Sequence, residues 1–203
     1  GHAKVWYPPV DAEEHPVYVI SVDPGQGKAT RSVATVWRMD LDRFNRIQHC
    51  ATLSGMFDPI AFAPLVESLG QYYHNAKLIS EANGHGMAFC ARVTEYPNLY
   101  YRTDVVSGVM SKTVGWMTTG SARIGSGGTK MYAMTELQSI LPIIECHDTN
   151  IVRELRQVRY SGMNITFLSS DDFHDSTMIM AATRSASMGS TGSGFIGSSG
   201  WKW

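Results

Sequence analysis

Apolar residues fall into two rhythms along this chain, short continuous runs in its first quarter and helical-period faces alternating with runs after that. Val17–Asp23, Val33–Met39 and Arg46–Leu53 are runs of strand-forming residues separated by the polar stretches Gly25–Thr30 and Asp40–Asn45, which predicts three consecutive antiparallel strands. At Asp58-Pro59 the rhythm changes: Ile60, Phe62, Leu65, Val66, Leu69, Tyr72 and Tyr73 share one broad face, as in a helix. Ala76–Ser80 reads as a strand, Gly86–Glu95 as a helix opened by Asn83-Gly84, and Leu99–Arg102 as a strand. Gly108–Gly128 has no period and many glycines, so a long mobile loop is expected there. Beyond it the pattern predicts a helix over Thr129–Leu141, a strand at Ile143–Cys146, a helix N-capped by Asp148 and reaching about Val158, a hairpin over Tyr160–Leu168 around Ser161-Gly162, and a helix over His174–Ser187. Residues 1–16 are rich in Pro and polar groups and read as a linker or arm, and residues 189–203 as a flexible Gly/Ser tail. The stretch 17–188 is then one α/β domain, a mixed sheet with antiparallel strands first, parallel strands after them, and helices on both faces.

Composition narrows this picture. A chain of 203 residues, 43% hydrophobic and 17% charged, can bury a real core. Its formal net charge of −1 gives no overall drive toward nucleic acid, so any such contact requires a local patch. Cys50, Cys90 and Cys146 are far apart and form no CxxC pair, which argues against a zinc knuckle or disulfide framework and for reduced thiols in a cytosolic setting. No apolar run approaches 18 residues and no signal peptide is present, so neither a membrane nor secretion is expected. The Gly-His start reads as that of an excised fragment.

The glycine-rich GQGK after the first strand is a turn and not a phosphate cradle. Val22 stands where GxxxxGK[ST] needs its first glycine, Ala29 follows Lys28, and Thr30 replaces the third glycine of GxGxxG. Three carboxylates are harder to explain as surface charges: Asp23, Glu81 and Asp175 each stand at the end of an element. Each alone is compatible with a turn or a helix start. If the first and fourth strands are neighbours and the late helix crosses them, the three share a pocket, where mutual repulsion calls for divalent cations with a taste for oxygen, Mg²⁺ or Mn²⁺.

This ordered set, DPG after the first strand, EANGHG after the fourth and FHDS opening the last helix, resembles the ribonuclease H-like nucleases, and specifically the nuclease domain of the large terminase subunits of tailed bacteriophages. Gly128-Thr129-Lys130 and Glu154-Leu155 match two further features of that family, and the resemblance spans roughly residues 17–188. It implies an endonuclease that cuts double-stranded DNA during genome packaging, in the cytoplasm of a bacterial host, by two-metal hydrolysis leaving a 3′-hydroxyl and a 5′-phosphate. It also implies Asp23, Glu81 and Asp175 as catalytic metal ligands, with Asp23 bridging two Mg²⁺ or Mn²⁺ ions and His174 and Ser176 supporting from behind. Where many relatives carry a second aspartate after His-Asp, this chain has Ser176, and Asp171 or Asp172 is available to supply that ligand. The implied partners are an N-terminal ATPase motor domain, the small terminase subunit and the portal.

Lys112, Arg123 and Lys130 around the glycine-rich loop, and Arg153, Arg156 and Arg159 recurring every three residues along one helix face, would each suit a solvated surface. If the chain is a nuclease, DNA contact is expected from the loop group first, because that loop should lie near the acidic pocket. Phosphate contacts carry no sequence information, so cutting with little sequence preference is expected. The alternatives are a Holliday-junction resolvase of the same fold, separable by branched substrates and a stable dimer, an actin-like ATP-binding half, and a non-catalytic DNA-binding or assembly module with Ser176 as the mark of decay.

Overall fold

The computed structural model describes residues 1–41, 46–106, 109–120, 129–167 and 172–187. Ten strands and five α-helices follow in the order β1 (His2–Val5), β2 (Tyr18–Asp23), β3 (Ser32–Arg38), β4 (Ile47–Gly55), α1 (Pro59–Tyr72), β5 (Lys77–Ser80), α2 (Gly86–Arg92), β6 (Tyr101–Val106), β7 (Val109–Val114), α3 (Thr129–Ile140), β8 (Ile144–Glu145), α4 (Thr149–Arg156), β9 (Val158–Ser161), β10 (Asn164–Phe167) and α5 (Asp172–Ser187), counted over the described residues. The main sheet has the order β1-β4-β3-β2-β5, with β8 also pairing β4. β2, β3 and β4 are antiparallel neighbours, as their sequence predicts, and β5 lies parallel to β2.

Helices cover both faces because every central strand is apolar on both. Tyr18, Ile20 and Val22 of β2 pack with Phe62, Ala63 and Val66 of α1 and Phe89 of α2. Val19 of the same strand belongs to the opposite cluster, with Ala133 and Leu137 of α3 and Met178 and Ile179 of α5. This two-residue alternation decides which face each residue of β2 serves. Asp58 opens α1 as its N-cap, its carboxylate accepting the Ile60 and Ala61 N–H groups at 3.0 Å. Asp148 does the same for α4 through the Asn150 N–H.

Two segments differ from the sequence reading. The expected mobile loop over Gly108–Gly128 contains strand β7, and the strand expected at Leu99–Arg102 runs on to Val106, so the two form a separate two-stranded antiparallel ribbon. A ribbon of two strands has no need of the alternating pattern that a sheet buried on one face imprints, and Asp104, Ser111 and Lys112 break that pattern here. Residues 121–128 of the expected loop lie outside the described residues, as does the expected tail 189–203. Within 1–16, the segment expected to be a linker or arm, β1 pairs antiparallel with β4, and the Tyr73 hydroxyl donates to the Tyr7 carbonyl at 2.7 Å. Among the described residues no helix is long and apolar enough to cross a membrane.

Candidate active site

Asp23 is the last residue of β2 and follows Val19 and Ser21 on the face covered by α3 and α5. β5 runs parallel to β2 with Val22 opposite Ser80, and the Glu81 N–H donates to the Val22 carbonyl at 2.9 Å. Asp23 and Glu81 therefore leave adjacent parallel strands side by side at their carboxyl ends, where open α/β sheets form their binding crevices. The chain after Glu81 is tightly seated. Trp116 N–H donates to the Ser80 carbonyl at 2.8 Å and Ala82 N–H to the Trp116 carbonyl at 2.7 Å. In EANGHG, Gly84 takes a left-handed φ of +49°, and a Cβ on Gly86 would fall 2.0 Å from the Glu81 carbonyl oxygen. Only glycine lets α2 begin this close to the residue that bears the carboxylate.

α5 packs on the same face and brings further carboxylates toward these strand ends, making an acidic pocket of side chains. Asp172 and Asp175 stand three residues apart in its first turn, hence on one side of the helix, and both keep some exposure. Asp23 feels all of these groups. Its densely packed surroundings, the neighbouring Glu81, Asp175 and Asp172 carboxylates, and a hydrogen bond with Glu81 push its carboxyl well above the usual carboxylate range. Some surface of Asp23 nevertheless stays open to solvent. Two carboxylates about 4 Å apart repel by about 4 kcal/mol at an effective dielectric constant near 20, so a proton or a cation must offset the charge. The oxygen-only donor set and its raised affinity for positive charge fit a hard divalent cation. Asp23, Glu81, Asp172 and Asp175 are the residues that would hold it. Among the described residues no three such side chains are arranged as a closed metal cage.

The other sequence-derived candidates separate clearly. Lys130, at the start of α3, places its Nζ 3.8 Å from Asp175 Oδ2 and so belongs to the pocket itself. His174 is buried, with Nδ1 3.2 Å from Asp175 Oδ1 and its ring bordering a cavity of about 210 Å³ lined by Met131, Met134, Leu137 and Ile165. Lys112 is exposed and borders a groove with Ala82, Met87 and Cys90, beside the chain that follows Glu81. Asp171 and Arg123 lie outside the described residues.

Ser176 points away from the pocket. It is fully buried between α5 and the sheet, donating to the Ser21 carbonyl at 2.9 Å and lying 2.7 Å from Thr35 Oγ1, which also accepts from Trp37 Nε1 at 2.8 Å. This hydroxyl network sets the seat of α5 on β2 and β3. Ser176→Asp would bury a charge among hydroxyls that are already satisfied, costing about 3 kcal/mol or more. At 2–4 °C per kcal/mol, the expected fall in Tm is roughly 6–12 °C. Thermal denaturation checks this, and an unchanged Tm would mean that α5 can turn residue 176 toward the pocket.

The resemblance names Glu154 with Leu155, but sequence reasoning gives Glu154 no role. Although exposed arginines flank it in α4, it is 2% exposed, and its Oε2 accepts the Phe173 N–H at 2.9 Å and the His174 N–H at 3.1 Å. It thus holds the first turn of α5 from a neighbouring helix. The readable signal is its place in the helical period with the apolar residues Ile151, Leu155 and Val158.

No protein-family model matches the chain, and no curated protein matches its sequence. Its structure does have counterparts. The large terminase nuclease from thermophilic phage G20c with bound magnesium superposes with a TM-score of 0.67 over 90% of this chain and 87% of that one, at 15% identity. The zinc-bound form of the same nuclease gives 0.60 over 89% and 88%, at 16% identity. The P22 large terminase nuclease domain gives 0.55 over 88% and 86%, at 14% identity. This chain has the ribonuclease H-like fold of the large terminase nucleases.

Proposed function

We propose that this chain is a metal-dependent endonuclease domain that cuts double-stranded DNA during phage genome packaging. The observation that carries the reading is the convergence of Asp23, Glu81, Asp172 and Asp175 at the carboxyl ends of β2 and β5, with the Asp23 carboxyl held well up by its neighbours. The similar nucleases with bound magnesium and bound zinc support the same assignment. Bound divalent cations, two in this reading and Mg²⁺ or Mn²⁺ by preference, would supply an activated water and charge stabilisation at the leaving oxygen. The chain's own residues do the rest. Asp23 and Glu81 are fixed by adjacent strands, so they define the position of the scissile phosphate. His174, packed behind Asp175, orients that carboxylate. Lys130 offers a positive charge to a phosphate at the same place. Lys112 lies within reach of duplex flanking the pocket.

In this reading residues 17–188 form the body of the nuclease, and residues 1–16 lead in from an ATPase motor domain while adding β1 to the edge of its sheet. The small terminase subunit and the portal are the further partners, in the host cytoplasm. The test is plasmid cleavage by EDTA-treated protein. No cutting is expected in EDTA, with nicking and linearisation restored by Mg²⁺ or Mn²⁺. Undiminished cutting in EDTA would overturn the proposal. Cation binding should also be visible without catalysis: at 100 times Kd it adds about 2.7 kcal/mol, or roughly 5–10 °C in Tm.

A further inference from the structure

A second groove lies on the outer side of α4. It has a volume of about 630 Å³ and is bordered by His147, Thr149, Arg153, Arg156, Gln157 and Arg159. α4 presents two different faces. Ile151 and Glu154 are buried, with Glu154 bonded to α5, whereas Arg153, Arg156 and Arg159 are exposed. No described carboxylate forms an ion pair with any of the three arginines. In a chain of net charge −1 this is a concentrated positive field.

Two of the guanidinium groups are tethered. Arg159 Nη1 donates to the Arg156 carbonyl at 2.7 Å and the Val158 carbonyl at 3.0 Å, and Arg153 Nη2 donates to Asn150 Oδ1 at 3.1 Å. The tethers use part of each planar fork and leave other N–H donors for a ligand, with less conformational freedom to lose on binding. Arg153 and Arg156 are separated by about 4.5 Å of helix rise, with Arg159 just beyond the helix end, a row suited to consecutive phosphates of one strand.

We propose that this arginine groove is a second, sequence-independent contact for the sugar-phosphate backbone of duplex DNA, apart from the acidic pocket. The inference rests on the nuclease reading for its choice of polyanion, and charge complementarity carries it. The opposite face of the same helix holds the start of α5 through Glu154.

The experiment is fluorescence anisotropy with two labelled 30-base-pair duplexes of unrelated sequence, in EDTA, between 50 and 200 mM salt. The native chain is compared with R153Q/R156Q/R159Q. Loss of two or three phosphate contacts should weaken binding about tenfold and reduce the salt slope by about 2–3, equally for both duplexes. Unchanged affinity and slope, or a loss confined to one duplex, would overturn the proposal. If thermal denaturation shows the triple variant unfolded, R156E decides the matter, since among the described residues the Arg156 side chain has no hydrogen bond that the substitution would break. Plasmid cleavage at saturating DNA separates the two readings. The triple variant should still cut with Mn²⁺. Metal-independent cutting by the native chain alongside a reduced salt slope in the variant would reject the nuclease reading and keep the groove.

Discussion

Asp23→Asn is expected to remove metal-dependent cleavage and, in the same protein, to raise the thermal stability of the metal-free form. The two effects have one cause. The Asp23 carboxyl is driven well above its ordinary range by burial first, then by Glu81, Asp175 and Asp172. A carboxyl raised in this way binds its proton more tightly in the folded than in the unfolded chain. Its ionisation therefore destabilises the fold progressively as pH climbs from the unfolded value through the folded one, and the penalty is fully present above that. Asparagine cannot ionise and does not incur the penalty, so the variant's advantage should widen with pH and level off. Each kcal/mol relieved raises Tm by about 2–4 °C in a chain of this size. Catalysis moves the other way. Loss of a ligand that supplies several kcal/mol of charge stabilisation lowers the rate by about 10³-fold or more, and the Mn²⁺-induced rise in Tm should shrink with it. The checks are plasmid cleavage and thermal denaturation with and without Mn²⁺ over pH 5–8. A variant that cuts normally, or a metal-free form destabilised at every pH, would remove Asp23 from the centre.

Why this pocket was readable in the sequence follows from strand geometry. β2 is buried on both faces up to its last residue, so a charged residue ending that run stands out, and Asp23 is conspicuous for that reason. Glu81 is conspicuous in the same way at the end of β5. Segments with less burial were less readable. β1 is exposed along its whole length and is held by backbone pairing to β4, which leaves no mark on the side chains of HAKV. The start of β6 is legible as the strand Leu99–Arg102, whereas β7 is not, because VMSKTV carries no strict alternation of apolar and polar residues. Within α5 the sequence gives a cluster of acids but not their phase. The structure sets Asp172 and Asp175 toward the pocket and Ser176 against the sheet, because the Ser21 carbonyl and the Thr35 hydroxyl provide partners there. Lys130 reads as a DNA contact flanking the glycine-rich loop at the start of a helix, and the packing of α3 against α5 brings it to Asp175.

Glu154 should behave as a positioning residue whose alanine and glutamine variants part company. Its carboxylate accepts two backbone N–H groups at the start of α5, groups that have no partner within their own helix. Glu154→Ala leaves both without that acceptor and is expected to cost about 1–3 kcal/mol. The helix turn that loosens carries Asp172 and Asp175, and a displacement on the order of 1 Å there can lower cleavage about 10²-fold. Glu154→Gln keeps an acceptor oxygen at the same reach and should keep both the seat of α5 and most of the activity. The pH dependence identifies the residue further. Burial raises the Glu154 carboxyl from its ordinary 4.5 to about 7, against the lowering effect of the two N–H donors. Because the folded value is the higher one, ionisation costs stability as pH rises from about 4.5 to about 7, on the order of 3 kcal/mol in all. Gln has no such ionisation. The stability of Glu154→Gln relative to the native chain should therefore climb across that window and stay level above it, while the alanine variant is compared at pH 5, where Glu154 is protonated and charge relief plays no part. Urea denaturation at a series of pH values measures both. Equal activity in the alanine and native proteins would show that α5 keeps its place without the cap, and a difference between Gln and native that does not change with pH would show that Glu154 is ionised throughout.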